Sequence, residues 1–99
     1  MFNCRFERVT PVEFEKNRER KLAFAEREIE LPFPPYYGLK VEFSAADSDD
    51  DLSLISCDCV YWRVQDNCFN VSVHDQNITF VYETAAECRR CFTESGWTI

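Results

Sequence analysis

The stretch from Leu52 to Glu83 constrains the fold more than any other part of the chain, because it consists mainly of residues that favour β-strands. Its three runs rich in Val, Ile, Phe, Tyr, Trp and Thr are separated by Asp66-Asn67 and by residues 74–77. Short polar breaks between β-branched and aromatic runs are typical of hairpins. The stretch therefore predicts a chain that folds back on itself twice. The predicted strands cover residues 52–64, 68–73 and 78–82.

The N-terminal part predicts one strand followed by a long helix. Phe2, Cys4 and Phe6 alternate with polar residues, which is the pattern of a strand with one buried face. Thr10-Pro11-Val12-Glu13 has the form of a capping box with proline at the first helical position. We expect a helix to begin there and to end before Pro32, because a residue that precedes proline disfavours the helical region. Apolar residues recur at helical spacings within it, at Val12, Phe14, Leu22, Ala25 and Ile29.

The remaining segments complete a single α+β domain over residues 1–99. Residues 36–43 predict a strand that contains Gly38, and the acidic run from Ser44 to Asp51 predicts a loop. A second capping box, Thr84-Ala85-Ala86-Glu87, predicts a final helix that ends at Gly96, with Trp97 folding back on its last turn. The predicted order is β-α-β-β-β-β-α, with a mainly antiparallel sheet of four to five strands and two helices.

Charge is unevenly distributed along the chain. Residues 1–43 contain eight acidic and eight basic residues, whereas residues 44–99 contain ten acidic residues against three arginines. An acidic surface repels phosphate backbones and attracts basic partners. The sequence therefore disfavours direct binding of nucleic acid and favours a basic protein surface as the partner.

The six cysteines are expected to be thiols in the cytoplasm. Residues 1–5 alternate in polarity, and no apolar run approaches the roughly 18 residues of a membrane span. Without an export signal the compartment is expected to be reducing. Two glycosylation-type triplets, Asn70-Val71-Ser72 and Asn77-Ile78-Thr79, favour the opposite, secreted alternative.

Three alternatives for the cysteines follow from their spacing. Cys57 and Cys59 lie two residues apart on a predicted strand, and Cys88 and Cys91 have CxxC spacing on a predicted helix. These four thiols form a tetrahedral zinc site if that helix packs over that strand. A thiol oxidoreductase instead requires one exposed sulfur of low pKa at Cys88 or Cys91. The third alternative is that cysteines on the inner stripe of a helix are simply small buried apolar side chains. Disulfide bonds are a further alternative, which a reducing compartment disfavours.

Neither catalysis nor a cofactor is predicted. His74 is the only histidine, and a chain with two glycines contains no GxSxG-like turn or glycine-rich phosphate loop. The acidic run lacks the turn glycine and the distal glutamate of an EF-hand. We therefore expect a protein that binds another protein and is not an enzyme.

The acidic half of the chain is the predicted binding surface. The chain is short and acidic, with the Ser48 to Asp51 tip inside a negative segment from Ser44 to Ile99, and in these respects it resembles the small phage-encoded inhibitors of bacterial defence, such as anti-CRISPR and anti-restriction proteins. That resemblance implies a partner such as a CRISPR effector in the host cytoplasm, held through its nucleic-acid-binding lysines and arginines. An aromatic anchor is expected at Tyr61 or Trp62. The predicted acidic contacts are Asp47, Asp49, Asp50, Asp51, Asp58, Asp66 and Asp75.

Overall fold

The computed structural model describes residues 1–42, 54–74 and 79–99 of the chain. Within these residues the chain forms seven strands and one helix. They are β1 (Phe2–Phe14), β2 (Glu19–Leu31), β3 (Lys40–Glu42), β4 (Leu54–Ser56), β5 (Cys59–Arg63), β6 (Cys68–His74), β7 (Phe80–Tyr82) and α1 (Ala85–Glu94).

The main sheet is built around β1. Its strand order is β2-β1-β6-β5, and β7 also pairs with β1. β1 and β2 form an antiparallel hairpin, whereas β6 and β7 both run parallel to β1. β5 returns antiparallel to β6, and β3 and β4 form a separate antiparallel pair. The sheet is therefore mixed: its longest pairing, β1 with β2, is antiparallel as predicted, and the chain also returns to β1 twice in the parallel direction.

The predicted first helix is wrong, because its residues form the end of β1, a turn and all of β2. Side chains on β1 are buried at every second residue from Cys4 to Phe14, which is strand periodicity. The chain turns at residues 15–18, where Arg18 has a left-handed φ of 55°. In that turn the Asn17 side-chain oxygen accepts a hydrogen bond from the Glu19 amide at 3.0 Å.

Pro11 is compatible with the middle of β1 because none of the described strands pairs with its nitrogen. Its partner on β2 is Leu22. The Leu22 main-chain groups point away from β1, as those of Glu26 do, so the Pro11 nitrogen faces the other side of β1. On that side β6 ends opposite Val9 and β7 begins opposite Val12. The missing N–H therefore costs no ladder hydrogen bond.

Two other strands are shorter than predicted. The strand predicted over residues 36–43 is reduced to β3, and Gly38, with φ 85°, lies in the turn before it. The strand predicted over residues 52–64 is divided at Cys57-Asp58 into β4 and β5. Here the Cys57 amide donates to the Leu39 oxygen at 2.8 Å, whereas the Asp58 amide donates to the Ser72 oxygen at 2.9 Å. The chain changes from one sheet to the other at this dipeptide.

The C-terminal helix is confirmed together with both of its predicted ends. The Thr84 hydroxyl accepts from the Glu87 amide at 3.2 Å, and the Glu87 carboxylate accepts from the Glu83 amide at 2.8 Å. At the other end Gly96 has φ 88°, and the Trp97 amide donates to the Phe92 oxygen at 2.9 Å. This is a Schellman motif, and it directs Trp97 into the core.

The two faces of the main sheet differ in what covers them. We call the face that carries the even-numbered residues of β1 the closed face; Phe92, Trp97, Ile55 and Cys57 join its core cluster. Arg8 is buried on the closed face, with its guanidinium 5.3 Å from the Trp97 ring centroid. The opposite face, which carries the odd-numbered residues of β1 and the even-numbered residues of β2, is called the open face. Its β2 side chains are exposed.

Candidate functional site

The open face carries carboxylates from both strands of the β1–β2 hairpin. Glu7 and Glu26 are directly opposite each other in the register, and both lie on the open face. Like charges in that arrangement repel each other and destabilise a sheet. Glu28 and Glu30 continue the series along β2, opposite Arg5 and Asn3. The acidic surface therefore lies in the part of the chain whose charges balance in sequence.

A cleft of about 560 Å³ lies at the end of this acidic series. Together with Glu7 and Glu26, it is called the acidic groove. Five carboxylates and the guanidinium groups of Arg5 and Arg63 lie in or next to the groove. The cleft is lined by Asn3, Cys4, Arg5, Glu28, Ile29, Glu30, Asp66 and Cys68.

Arg5 links the two sides of the cleft. Its Nη2 lies 3.1 Å from Glu28 Oε1, and its Nη1 lies 3.2 Å from Asp66 Oδ2. The same Asp66 oxygen lies 3.4 Å from Arg63 Nη1. The hydrogen bond to Glu28 and the nearby Asp66 charge raise the pKa of Arg5. These pairs neutralise one side of the cleft and leave Glu30, Glu7 and Glu26 outside the Arg5 ion pairs.

Asn70 is a polar residue buried next to the groove. The register places it on β6 between Arg5 of β1 and Tyr61 of β5, on the open face. Its relative exposure is 0%, and within the described residues neither its side-chain oxygen nor its nitrogen has a hydrogen-bond partner. An unsatisfied buried amide costs roughly 1–3 kcal/mol. Stability therefore does not explain this side chain.

Four of the predicted partner-binding residues lie within the described part of the chain. Tyr61 and Trp62 on β5 are 42% and 46% exposed. As neighbours on one strand they point to opposite faces, so Tyr61 lies on the open face, whereas Trp62 packs edge-on against Phe69 at 4.9 Å. Asp58 is exposed between β4 and β5, and Asp66 is engaged with two arginines. The other predicted contacts, Asp47, Asp49, Asp50, Asp51 and Asp75, lie outside the described residues.

Sequence reasoning missed the four glutamates of the hairpin. Glu26, Glu28 and Glu30 alternate with Arg27, Ile29 and Leu31, which is a period-two signal. The capping box at Thr10 nevertheless favoured a helix. In a helix these three glutamates would not lie in one row on one face, as they do in a strand.

The predicted zinc ligands do not form a metal site. Cys57 is buried at the junction of the two sheets, whereas Cys59 is exposed on β5. Among the described residues no group of three or more His, Cys, Asp or Glu side chains is placed to hold a metal ion. Cys57 and Cys59 were predicted to share one face of a single strand. The strand is interrupted at Cys57-Asp58, so Cys59 lies on β5 and Cys57 precedes it.

A different set of thiols lies together in the core. Cys4 lies close enough to Cys68 and to Cys57 for the charge of one thiolate to raise the pKa of the next. Burial is the larger cause in both cases, and it raises the pKa of Cys57 to about 11. Burial and the neighbouring Cys91 also raise the pKa of Cys88. A reactive thiol needs a lowered pKa, so Cys88 lacks the property that a thiol oxidoreductase requires of its nucleophile.

Comparison with protein-family models, with curated protein sequences and with solved structures gave no match. None of the helical segments in the described part of the chain has the length and apolar character needed to cross a bilayer.

Proposed function

We propose that the protein is a cytoplasmic, non-enzymatic inhibitor that binds a basic, nucleic-acid-binding surface of a larger macromolecule through the acidic groove. The observation that carries the proposal is the Glu7–Glu26 pair, in which two carboxylates face each other on an exposed sheet face next to a cleft edged by Glu28 and Glu30. A cationic side chain of a basic partner, placed between the two carboxylates, attracts both and offsets their mutual repulsion.

The chemistry of the groove favours lysine and arginine side chains as its ligands. Carboxylates present paired acceptor oxygens that match a guanidinium fork. The exposed Tyr61 ring lies on the same face and supplies a surface over which a partner's cation can stack.

The resemblance to small anti-defence inhibitors makes a CRISPR effector or another nucleic-acid-binding complex the proposed partner class. In such a complex the carboxylates would occupy positions that phosphates otherwise occupy. Asp58 and the aspartates predicted from the sequence would extend this surface beyond the groove.

The experiment is capture of the partner from host lysate on immobilised protein, with quantification by mass spectrometry. The Glu7→Lys/Glu26→Lys variant should retain at most a tenth of the wild-type affinity, which corresponds to about 1.4 kcal/mol. The captured partner should also lose its binding of nucleic acid when wild-type protein is added.

The matched control is Glu15→Lys/Glu94→Lys, which makes the same change in net charge on the β1–β2 turn and on α1. Equal loss of capture by both variants would mean that only overall charge matters, and equal retention by both would remove the groove from the interface. A third variant, Asp49→Lys/Asp50→Lys/Asp51→Lys, measures the contribution of the acidic run separately.

A further inference from the structure

Residues 32–39 join β2 to β3, contain three prolines and carry no charged side chain. They are called the proline segment. Both ends of the segment are fixed on the core, because Leu31 just before it is buried and Leu39 packs against the core cluster. Near the second end the Gly38 amide donates to the Cys57 oxygen at 2.8 Å. The segment is therefore held at both ends and displayed between them.

The backbone of the proline segment is extended. Proline fixes its own φ at about −65° and restricts the residue before it to the extended region, and this applies from Phe33 onwards. The Leu39 amide donates to the Tyr36 oxygen at 3.1 Å, and Gly38 has φ 85°, which makes this a type II turn. In such a turn the first central residue, here Tyr37, has angles close to those of polyproline II. These constraints favour polyproline II geometry from Phe33 to Tyr37.

Two sides of the proline segment face solvent. Polyproline II has three residues per turn, so residues three apart lie on the same side of the chain. Pro35 is buried and faces the core. Pro34 and Tyr37 share a second side and are both exposed, Tyr37 by 78%. Phe33 and Tyr36 share the third side and are 44% and 57% exposed.

The exposed side that carries Pro34 and Tyr37 has the chemistry that proline-reading domains bind. These domains hold an extended chain in a groove lined by aromatic rings, and a chain that is already extended loses little entropy on binding. Residues 34–37 have the spacing Pro-Pro-any-Tyr, which presents a proline and a tyrosine one turn apart. The other proline pair with this separation, Pro32 and Pro35, includes the buried Pro35 and is not accessible as a pair.

Other occupants fit the proline segment less well. Proline lacks the N–H that a strand needs, so the segment does not add to the edge of a sheet. The segment has no charge that attracts a lipid headgroup or a phosphate, and the chain as a whole has a net charge of -7. A second copy offers clefts of about 560, 460 and 370 Å³, and Phe24 is the only aromatic residue among their described lining residues.

We propose that the proline segment binds a domain of another protein whose aromatic-lined groove takes Pro34 and Tyr37, with Phe33 and Tyr36 against the rim of that groove. None of these four residues belongs to the acidic groove. The two surfaces are therefore separate, and either proposal can fail without the other.

The test uses an isolated WW domain that binds Pro-Pro-any-Tyr peptides, labelled with a fluorophore, titrated with full-length protein and followed by fluorescence anisotropy. Binding should saturate, and replacement of the groove tryptophan of the WW domain by alanine should abolish it. Tyr37→Ala and Pro34→Ala should each weaken binding at least tenfold. The matched control is Phe24→Ala, which removes a 65% exposed aromatic ring from β2 and should bind as the wild type does. Circular dichroism shows that each variant retains the fold.

Three results would overturn the proposal. One is the lack of saturable binding by the WW domain, and another is wild-type binding by folded Tyr37→Ala protein. The third is concentration-dependent self-association of the protein that Tyr37→Ala abolishes, because this outcome would make a second copy the occupant of the proline segment.

Discussion

The closed and open faces of the main sheet share the same strands but carry different chemistry. On the closed face every second residue of β1 is buried, and Phe92 and Trp97 complete an aromatic core. On the open face β1 and β2 carry opposed carboxylates and exposed apolar side chains, and β6 carries Asn70, whose amide has no hydrogen-bond partner among the described residues. The difference indicates that the closed face accounts for folding, whereas the open face contains features that cost stability.

The largest expected effect is on the closed face. Phe92 is fully buried, and its replacement in Phe92→Ala should lower the free energy of unfolding by about 3–5 kcal/mol. Phe24→Ala, which removes the same side chain from the open face, should cost less than about 1 kcal/mol. Urea denaturation of the two variants measures the contrast. Equal losses would mean that the open-face Phe24 is also part of the folding core.

The rates of thiol modification should also differ between the buried Cys57 and the exposed Cys59. Since burial raises the pKa of Cys57 to about 11, its thiolate fraction near neutral pH should be roughly a hundredfold below that of an ordinary thiol. Iodoacetamide should therefore modify the exposed Cys59 first, as peptide mapping would show.

The raised pKa also predicts a pH dependence. The unfolded chain ionises at the ordinary thiol pKa, so the folded state loses stability as the pH rises from about 8.5 through 11, and none is lost below that window. Urea midpoints measured across this range should fall. Rapid labelling of Cys57 at neutral pH, or a flat alkaline profile, would contradict the assignment.

The next largest loss of stability is expected in the turn at Gly96, which places Trp97 on the closed face. Gly96 has φ 88°, and a Cβ there would lie 2.7 Å from Arg27 Nη1. Gly96→Ala should cost about 1–3 kcal/mol from the backbone conformation alone. Gly38→Ala is a matched control, because Gly38 has φ 85° and no atom of the described residues lies within 4 Å of the added Cβ. Any excess for Gly96→Ala in thermal unfolding then measures the displacement of Arg27, and a smaller loss than for Gly38→Ala would show that Arg27 moves freely.

The smallest expected change in the free energy of unfolding is that of Asn70→Leu, and it should be zero or stabilising. Asn70→Leu removes an unsatisfied buried amide with a side chain of similar size, and should leave stability unchanged or raise it by about 1 kcal/mol. Calorimetry would detect this. A destabilised Asn70→Leu protein would mean that the Asn70 amide supports the fold.

Sequence reasoning identified the strands and the helix in the C-terminal half because their signals are local. The Thr84 cap, the Gly96 stop and the turn near Asp66 each depend on residues a few positions apart. The break at Cys57-Asp58 was not predictable in this way, because it depends on pairing with Leu39 on one side and with Ser72 on the other.

The N-terminal half was misassigned for a physical reason. β2 presents Ala23 and Ala25 to the core, and these small residues give a weak alternation that also fits a helix. Pro11 argued against a central strand, and only the gap between β6 and β7 removes that objection. The sequence predicted acidic contacts at aspartates of the C-terminal half together with Tyr61 or Trp62, whereas the glutamates of the acidic groove lie on the β1–β2 hairpin.

The pairing of β1 with both β6 and β7 has a consequence for synthesis on the ribosome. The β1–β2 hairpin closes locally. Each residue of β1 that pairs with β6, however, has its partner more than 60 positions later in the chain, as Cys4 and Phe69 show. Until then the inner side of the hairpin has no cover, and distant parallel pairing is slow. The nascent chain is thus most vulnerable to aggregation and proteolysis just before its last quarter emerges, and a stop codon in that quarter should yield insoluble fragments and not a smaller folded unit.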